Sequence, residues 1–122
     1  MPSRSKYGAR KTRAQGMEFD SQKEYRRFLQ LQLLEKAGKI QNLKTQVDFE
    51  LLPAQRAPDI IGPKGGKKPG KLLERAVVYR ADFVYQEDGR TVVEDVKGVR
   101  TDAYIIKRKL MLYMHGIRIL ET

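Results

Sequence analysis

Cysteine and tryptophan are absent from this chain of 122 residues, and histidine occurs once. Without cysteine there can be no disulfide, no thiolate metal site and no cysteine nucleophile, a composition that fits the cytoplasm. The single histidine, His115, cannot support a histidine-based zinc site or a histidine-dependent nuclease centre. Beside Gly116, at an expected helix end, its expected part is a charge–dipole one. No apolar run approaches the ~18 residues needed to span a bilayer. The opening Met1-Pro2-Ser3-Arg4-Ser5 lacks an apolar stretch, so no secretory leader is expected. Acidic residues are also scarce, 15 against 25 Lys and Arg, for a net charge of +10 and a pI near 9.9. That excess calls for a polyanionic partner, and without membrane signals nucleic acid is expected rather than a membrane surface. Gly65-Gly66-Lys67-Lys68 lacks the Ser/Thr and the strand–loop–helix setting of a phosphate-binding loop, which argues against ATP hydrolysis.

What is present divides into a basic arm and one domain. Residues 1–16 contain Arg4, Lys6, Arg10, Lys11 and Arg13 with no acid, and are expected to be a flexible arm that meets phosphate. Residues 17–122 are expected to form a single domain, large enough for a modest core. Ser21 with Glu24 three residues later is a capping box opening a helix. The helix runs through Tyr25, Phe28, Leu29, Leu31, Leu33 and Leu34 to Gly38, and the width of its apolar arc predicts substantial burial. A strand follows from about Ile40 to Leu52. Residues 53–74 are a Pro/Gly/Lys-rich loop, too long for a mere connector. Either it is a solvated insertion, or its Lys64, Lys67, Lys68 and Lys71 track a phosphate backbone. A second helix is expected over 102–114, ended by Gly116, with a final strand at Ile117–Leu120. The order is helix, strand, strand, strand, helix, strand: an α/β domain with a mixed sheet.

The most informative segment lies between these helices. Val77–Tyr85 and Thr91–Lys97 are β-rich runs around Asp88-Gly89, a type I′ hairpin signal. A two-residue loop sets Glu87 opposite Arg90, Asp82 opposite Asp95, and Arg80 opposite Lys97. Alternation then puts Asp82, Asp95 and Lys97 on one face and Glu94 on the other. Carboxylates directly opposed, with Cβ atoms roughly 5 Å apart, repel. A divalent cation would offset that repulsion, and Lys97 would stand beside the phosphate it holds. The alternative is a charge-neutral cluster in which Arg80 bridges Asp95 and Lys97 bridges Asp82. Glu94 is expected to pack or form a salt bridge.

The element order, with Asp82 followed by Asp95-Val96-Lys97, resembles the PD-(D/E)xK nuclease superfamily. The resemblance covers about residues 19–120. Tyr7-Gly8-Ala9-Arg10-Lys11, Phe19-Asp20-Ser21-x-x-Glu24 and Glu94-Asp95-Val96-Lys97-Gly98 are similar to small phage-encoded relatives of Holliday-junction resolvases. Ala81 precedes Asp82 where the family name has proline. The resemblance implies a restriction-endonuclease-like αβββαβ core, a mixed sheet flanked by helices, and a phage or prophage protein acting in the host cytoplasm. It implies that Asp82, Asp95 and a helix acid, which falls on Glu24, hold Mg²⁺, with Mn²⁺ substituting, and that Lys97 assists the attacking water. Glu24 has a second reading as the capping-box residue.

The expected activity is metal-dependent endonucleolytic hydrolysis of DNA, by resemblance of branched DNA, which would suit a homodimer. The arm residues Arg10, Lys11 and Arg13, the 64–71 loop, and Arg100, Lys107 and Lys109 are the expected phosphate contacts. A catalytically inactive nucleic-acid-binding module on the same fold is the alternative. An RNA-processing accessory protein would fit the charge, but it leaves the opposed aspartates without a reason.

Overall fold

A computed structural model describes residues 11–122. Two antiparallel strands, β1 (Thr12–Ala14) and β2 (Met17–Phe19), precede helix α1 (Gln22–Lys36) and the long strand β3 (Gln41–Leu52). Four short strands follow: β4 (Gln55–Arg56), β5 (Ile60–Ile61), β6 (Lys67–Lys68) and β7 (Leu72–Glu74). The chain ends with β8 (Val77–Glu87), β9 (Arg90–Asp95), α2 (Asp102–His115) and β10 (Leu120–Glu121). The main sheet has the order β10-β9-β8-β3, with β10 parallel to β9 and the other pairs antiparallel. This is the expected mixed α/β sheet of four strands with two flanking helices, compatible with an αβββαβ core.

Local chemistry accounts for the boundaries. The Ser21 hydroxyl accepts the Glu24 N–H at 3.1 Å, and Thr101 caps α2 in the same way through Tyr104. Asp88 and Gly89 have φ of 51° and 75°, the left-handed pair that a type I′ turn requires, and they set Glu87 opposite Arg90.

The core is in two parts. Leu51, Tyr79, Ala81, Val93, Tyr104, Met111 and Ile119 pack with α2, and Phe19, Phe28, Leu31, Ile40, Phe83 and Tyr85 pack with α1. Strand β8 therefore contributes Tyr79 and Ala81 to one cluster and Phe83 and Tyr85 to the other. The change falls at Asp82. Across from it, between the pairs Thr45–Phe83 and Val47–Ala81, lies Gln46 with a left-handed φ of 53°. An irregular step of this kind re-aims side chains, and it occurs where the candidate site lies.

Three expectations need correction. The burial of α1 is narrower than its apolar arc suggested, since Leu29, Leu33 and Leu34 remain exposed and only Glu24, Phe28 and Leu31 are buried. The arm is not irregular throughout: residues 12–19 form a hairpin turned by Gln15 and Gly16, with φ of 53° and 75°. Residues 1–10, including Arg10, lie outside the described residues. The 53–74 segment is not a structureless loop but a ribbon, β4 pairing with β7 and β5 with β6.

At the ribbon's waist a Cβ on Gly70 would meet the Ala57 carbonyl oxygen at 2.1 Å. Gly70→Ala must push the two chains apart, an overpacking effect of ~1–3 kcal/mol. Trypsin is expected to cut within 56–71 several-fold faster in this variant. An unchanged rate would show that the close approach does not hold the ribbon.

Candidate active site

The first turns of α1, the middle of β8 and the end of β9 meet at a cleft of about 680 Å³ lined by Glu24, Asp82, Asp95 and Lys97. Each side chain arrives for a local reason. Glu24 precedes Phe28 by one turn and Leu31 by two, so it lies on the buried stripe of α1 and is itself 2% exposed. Its carboxylate accepts the Asp20 N–H at 3.1 Å and the Gln46 side-chain amide at 2.7 Å. Glu24 sits at the N3 position with its N–H on Ser21, but its carboxylate accepts from Asp20 rather than from the cap residue's own N–H, and it faces the acidic cleft. Asp82 accepts the Val96 N–H at 2.8 Å, which fastens β8 to the chain just beyond β9. The last regular pair of the hairpin is Phe83–Glu94, and Asp82 and Asp95 lie one step beyond it.

Asp95 lies close enough to Asp82 for its charge to oppose ionisation there. Asp95 also accepts the buried Tyr79 hydroxyl and the Lys97 ammonium, the latter at 2.9 Å. Lys97 lies 3.7 Å above the centre of the Tyr104 ring, so its cation is held by a carboxylate and an aromatic face. On the chain's other side, the Lys23 ammonium donates to the Lys97 carbonyl at 2.9 Å. The charge-neutral alternative, with Arg80 on Asp95 and Lys97 on Asp82, is not what forms. Arg80 instead makes a two-point pair with Asp48 on β3, at 2.8 and 3.2 Å.

Acids concentrated in a partly dry cleft resist ionisation. Burial, then the charges of Asp95 and Glu24, push Asp82 up to about 8 against the opposing Val96 N–H. Burial likewise raises Glu24 to about 7, with Asp20 and Asp95 adding to it and the Asp20 N–H opposing. The Tyr79 phenol is driven far up by burial and by Asp95, so it remains a donor.

Carboxylate oxygens of Asp20, Glu24 and Asp82 come within 4.8 Å of one another, a spacing that suits one divalent ion. Sequence reasoning missed Asp20 as a candidate ligand. The available signal was its position four residues before Glu24, just ahead of the helix cap. Asp95 is outside that trio but adjoins Asp82, and Tyr79 and Lys97 occupy its oxygens. Gln46 and Tyr79, which orient Glu24 and Asp95, were also missed.

A family model described as a protein of unknown function (DUF1064) matches residues 4–118. The chain belongs to that family. No curated protein and no solved structure matches it.

The expected phosphate contacts of this DUF1064 chain divide into separate groups. Lys11 and Lys107 line the cleft. Lys64, Lys67, Lys68 and Lys71 belong to the ribbon or its loops, and Lys109 is exposed on α2. Arg13 and Lys11 both pair with Glu18, and Arg100 pairs with Glu121 at 2.9 Å. Glu94 points away from the cleft, as alternation requires. It is fully buried against Arg27, Tyr85 and Thr122. His115 bonds the Glu50 carbonyl at 2.7 Å, tying the end of α2 to β3. No helix among the described residues is long and apolar enough to cross a membrane.

Proposed function

We propose that this protein is a metal-dependent endonuclease that hydrolyses DNA phosphodiester bonds. The supporting observation is the convergence of Glu24, Asp82, Asp95 and Lys97 in one cleft that also holds Lys11 and Lys107. The donor set fits a hard cation, since Asp20, Glu24 and Asp82 offer oxygens close together and two of these acids resist ionisation without one. Bound there, Mg²⁺ or Mn²⁺ would supply Lewis acidity to a phosphate and a water. Gln46 and the Asp20 N–H hold Glu24, and the Val96 N–H holds Asp82, so the carboxylates are positioned before anything binds. Tyr79 fixes Asp95, and Asp95 with Tyr104 holds the Lys97 ammonium where charge grows on the attacked phosphate. In the hydrolysis, a water oxygen bonds to phosphorus, the ester P–O bond breaks, and the leaving oxygen takes a proton. Resemblance to the junction resolvases extends the proposal to branched DNA, a two-fold dimer, and a phage or prophage setting.

A second reading, a nucleic-acid-binding module without catalysis, is favoured by one observation: both Asp95 oxygens already have protein partners. Lys97→Met separates the two. A nuclease variant of this kind is expected to nick supercoiled plasmid or cut a synthetic four-way junction about a hundredfold more slowly in Mg²⁺, with DNA binding reduced only slightly. Wild-type protein that binds both DNAs yet cuts neither in Mg²⁺ or Mn²⁺ would leave the binding module as the reading.

A further inference from the structure

The ribbon carries a composition that the cleft does not need. Across 53–74 the cations Arg56, Lys64, Lys67, Lys68 and Lys71 face only two acids, Asp59 and Glu74. Among the described residues, none of the four lysines forms an ion pair. In the outer half Ile60 and Ile61 are 57% and 78% exposed, and their cross-strand partners are Lys68 and Lys67. Successive residues of a strand point to opposite faces and paired residues share one, so each face presents an isoleucine beside a lysine. An isolated two-stranded ribbon is marginal in water and does not ordinarily expose such side chains without a partner. A second copy docking ribbon to ribbon would bring these lysines against their counterparts, which disfavours self-association through this surface. A polyanion with apolar surfaces between its charges satisfies both residue types.

We infer that the ribbon is a nucleic-acid wedge: Lys67 and Lys68 take backbone phosphates, while Ile60 and Ile61 contact bases at an unstacked step. This deepens the nuclease reading and rests on its nucleic-acid substrate, not on its hydrolytic step. The geometry is compatible with one continuous substrate. The ribbon is rooted where Leu52 pairs with Val77, five residues along β8 from Asp82. At ~3.4 Å per residue the root lies roughly 17 Å from Asp82, and the wedge residues lie out along the ribbon from there. A two-stranded ribbon fits a groove about 12 Å wide. Aliphatic side chains enter a stack most readily where pairing is already interrupted. The preferred ligand is therefore a duplex with a break in its stacking rather than a continuous one.

The test uses the full chain in EDTA, so that nothing is cut. Two DNAs are compared, a continuous duplex and the same duplex with a two-nucleotide bulge and 2-aminopurine beside it. Wild-type protein is expected to prefer the bulged DNA about tenfold and to raise the 2-aminopurine fluorescence. Ile60→Ser/Ile61→Ser should remove the preference and the fluorescence change while leaving continuous-duplex binding within about twofold. Lys67→Gln/Lys68→Gln should weaken both DNAs and reduce the slope of log K against log salt by ~1.8, for two phosphates at ~0.9 each. The four positions are exposed, so circular dichroism should be unchanged. Equal affinity for the two DNAs, or an isoleucine variant that keeps the preference and the fluorescence signal, overturns the wedge. If instead the chain binds through the ribbon but cuts nothing when Mg²⁺ is restored, the hydrolytic reading fails and the wedge stands.

Discussion

Asp82→Asn is expected to lower Mg²⁺-dependent DNA cleavage by about a thousandfold and, in the same protein, to raise the metal-free melting temperature at pH 8 by ~4 °C. The two effects have opposite signs because one feature causes both. Asp82 lies against Asp95 and near Glu24 in a cleft that disfavours charge, and its proton is held up to about pH 8. An amide cannot ionise, so the variant escapes the repulsion and loses a carboxylate that the proposed cation would need. A residue serving only the fold would lower stability when replaced.

The pH dependence follows from the same two groups. Glu24, at about 7, and Asp82, at about 8, both titrate above their unfolded values of ~3.9–4.3. The folded state then binds more protons than the unfolded one through that interval. Their contribution is fully present below about pH 4 and is lost as pH rises toward 7 and 8. Metal-free protein should melt progressively lower over this window, and Asp82→Asn should flatten the curve. Mn²⁺ binding requires the ionised acids, so its stabilising shift should grow between pH 6 and 8 and release protons. Calorimetry in buffers of different ionisation enthalpy would count them. Superimposable melting curves for wild type and variant, with and without Mn²⁺, would remove Asp82 from any metal site.

Much of this site was legible because it depends on short-range rules. Asp88-Gly89 sets the hairpin, the hairpin sets the register, and the register sets Asp82 near Asp95 and turns Glu94 away. The capping pattern of Ser21 and Glu24 likewise places α1 and its buried carboxylate. What stayed hidden depends on distant partners or unusual backbone. Gln46 reaches Glu24 only because β3 carries a left-handed residue opposite Asp82, and glutamine gives no sequence signal for that conformation. Tyr79 carried no mark of its own within the Val77–Tyr85 run, and its bond to Asp95 needs the register and the twist together. The ribbon was obscured by its glycines and prolines, since strands of two or three residues show no periodicity. The hairpin register set Arg80 opposite Lys97 and left Asp95 as its candidate partner, but Asp48 on β3 takes its guanidinium.

Arg27→Met is expected to destabilise the protein by ~3 kcal/mol, the effect of leaving a buried charge without its partner. Glu94 has no exposed surface, and the Arg27 guanidinium, the Tyr85 hydroxyl at 2.7 Å and the Thr122 hydroxyl at 3.0 Å satisfy it. Arg27 lies three residues after Glu24, and Glu94 immediately precedes Asp95, so this pair clamps the helix acid against the strand acid. Without the guanidinium, Glu94 is left as a buried acid with only two hydroxyl donors. Glu94→Gln alone should cost less, because its one amide oxygen still accepts from Tyr85 or Thr122, which approach different carboxylate oxygens, and the partly exposed Arg27 can turn to water. The double variant should recover part of the Arg27→Met loss, a coupling that urea denaturation of all four proteins would measure. Strictly additive losses would mean that the pair does not hold the clamp. Coupled losses, with cleavage falling further than the unfolded fraction explains, would show that a pair outside the cleft sets the spacing of the acids within it.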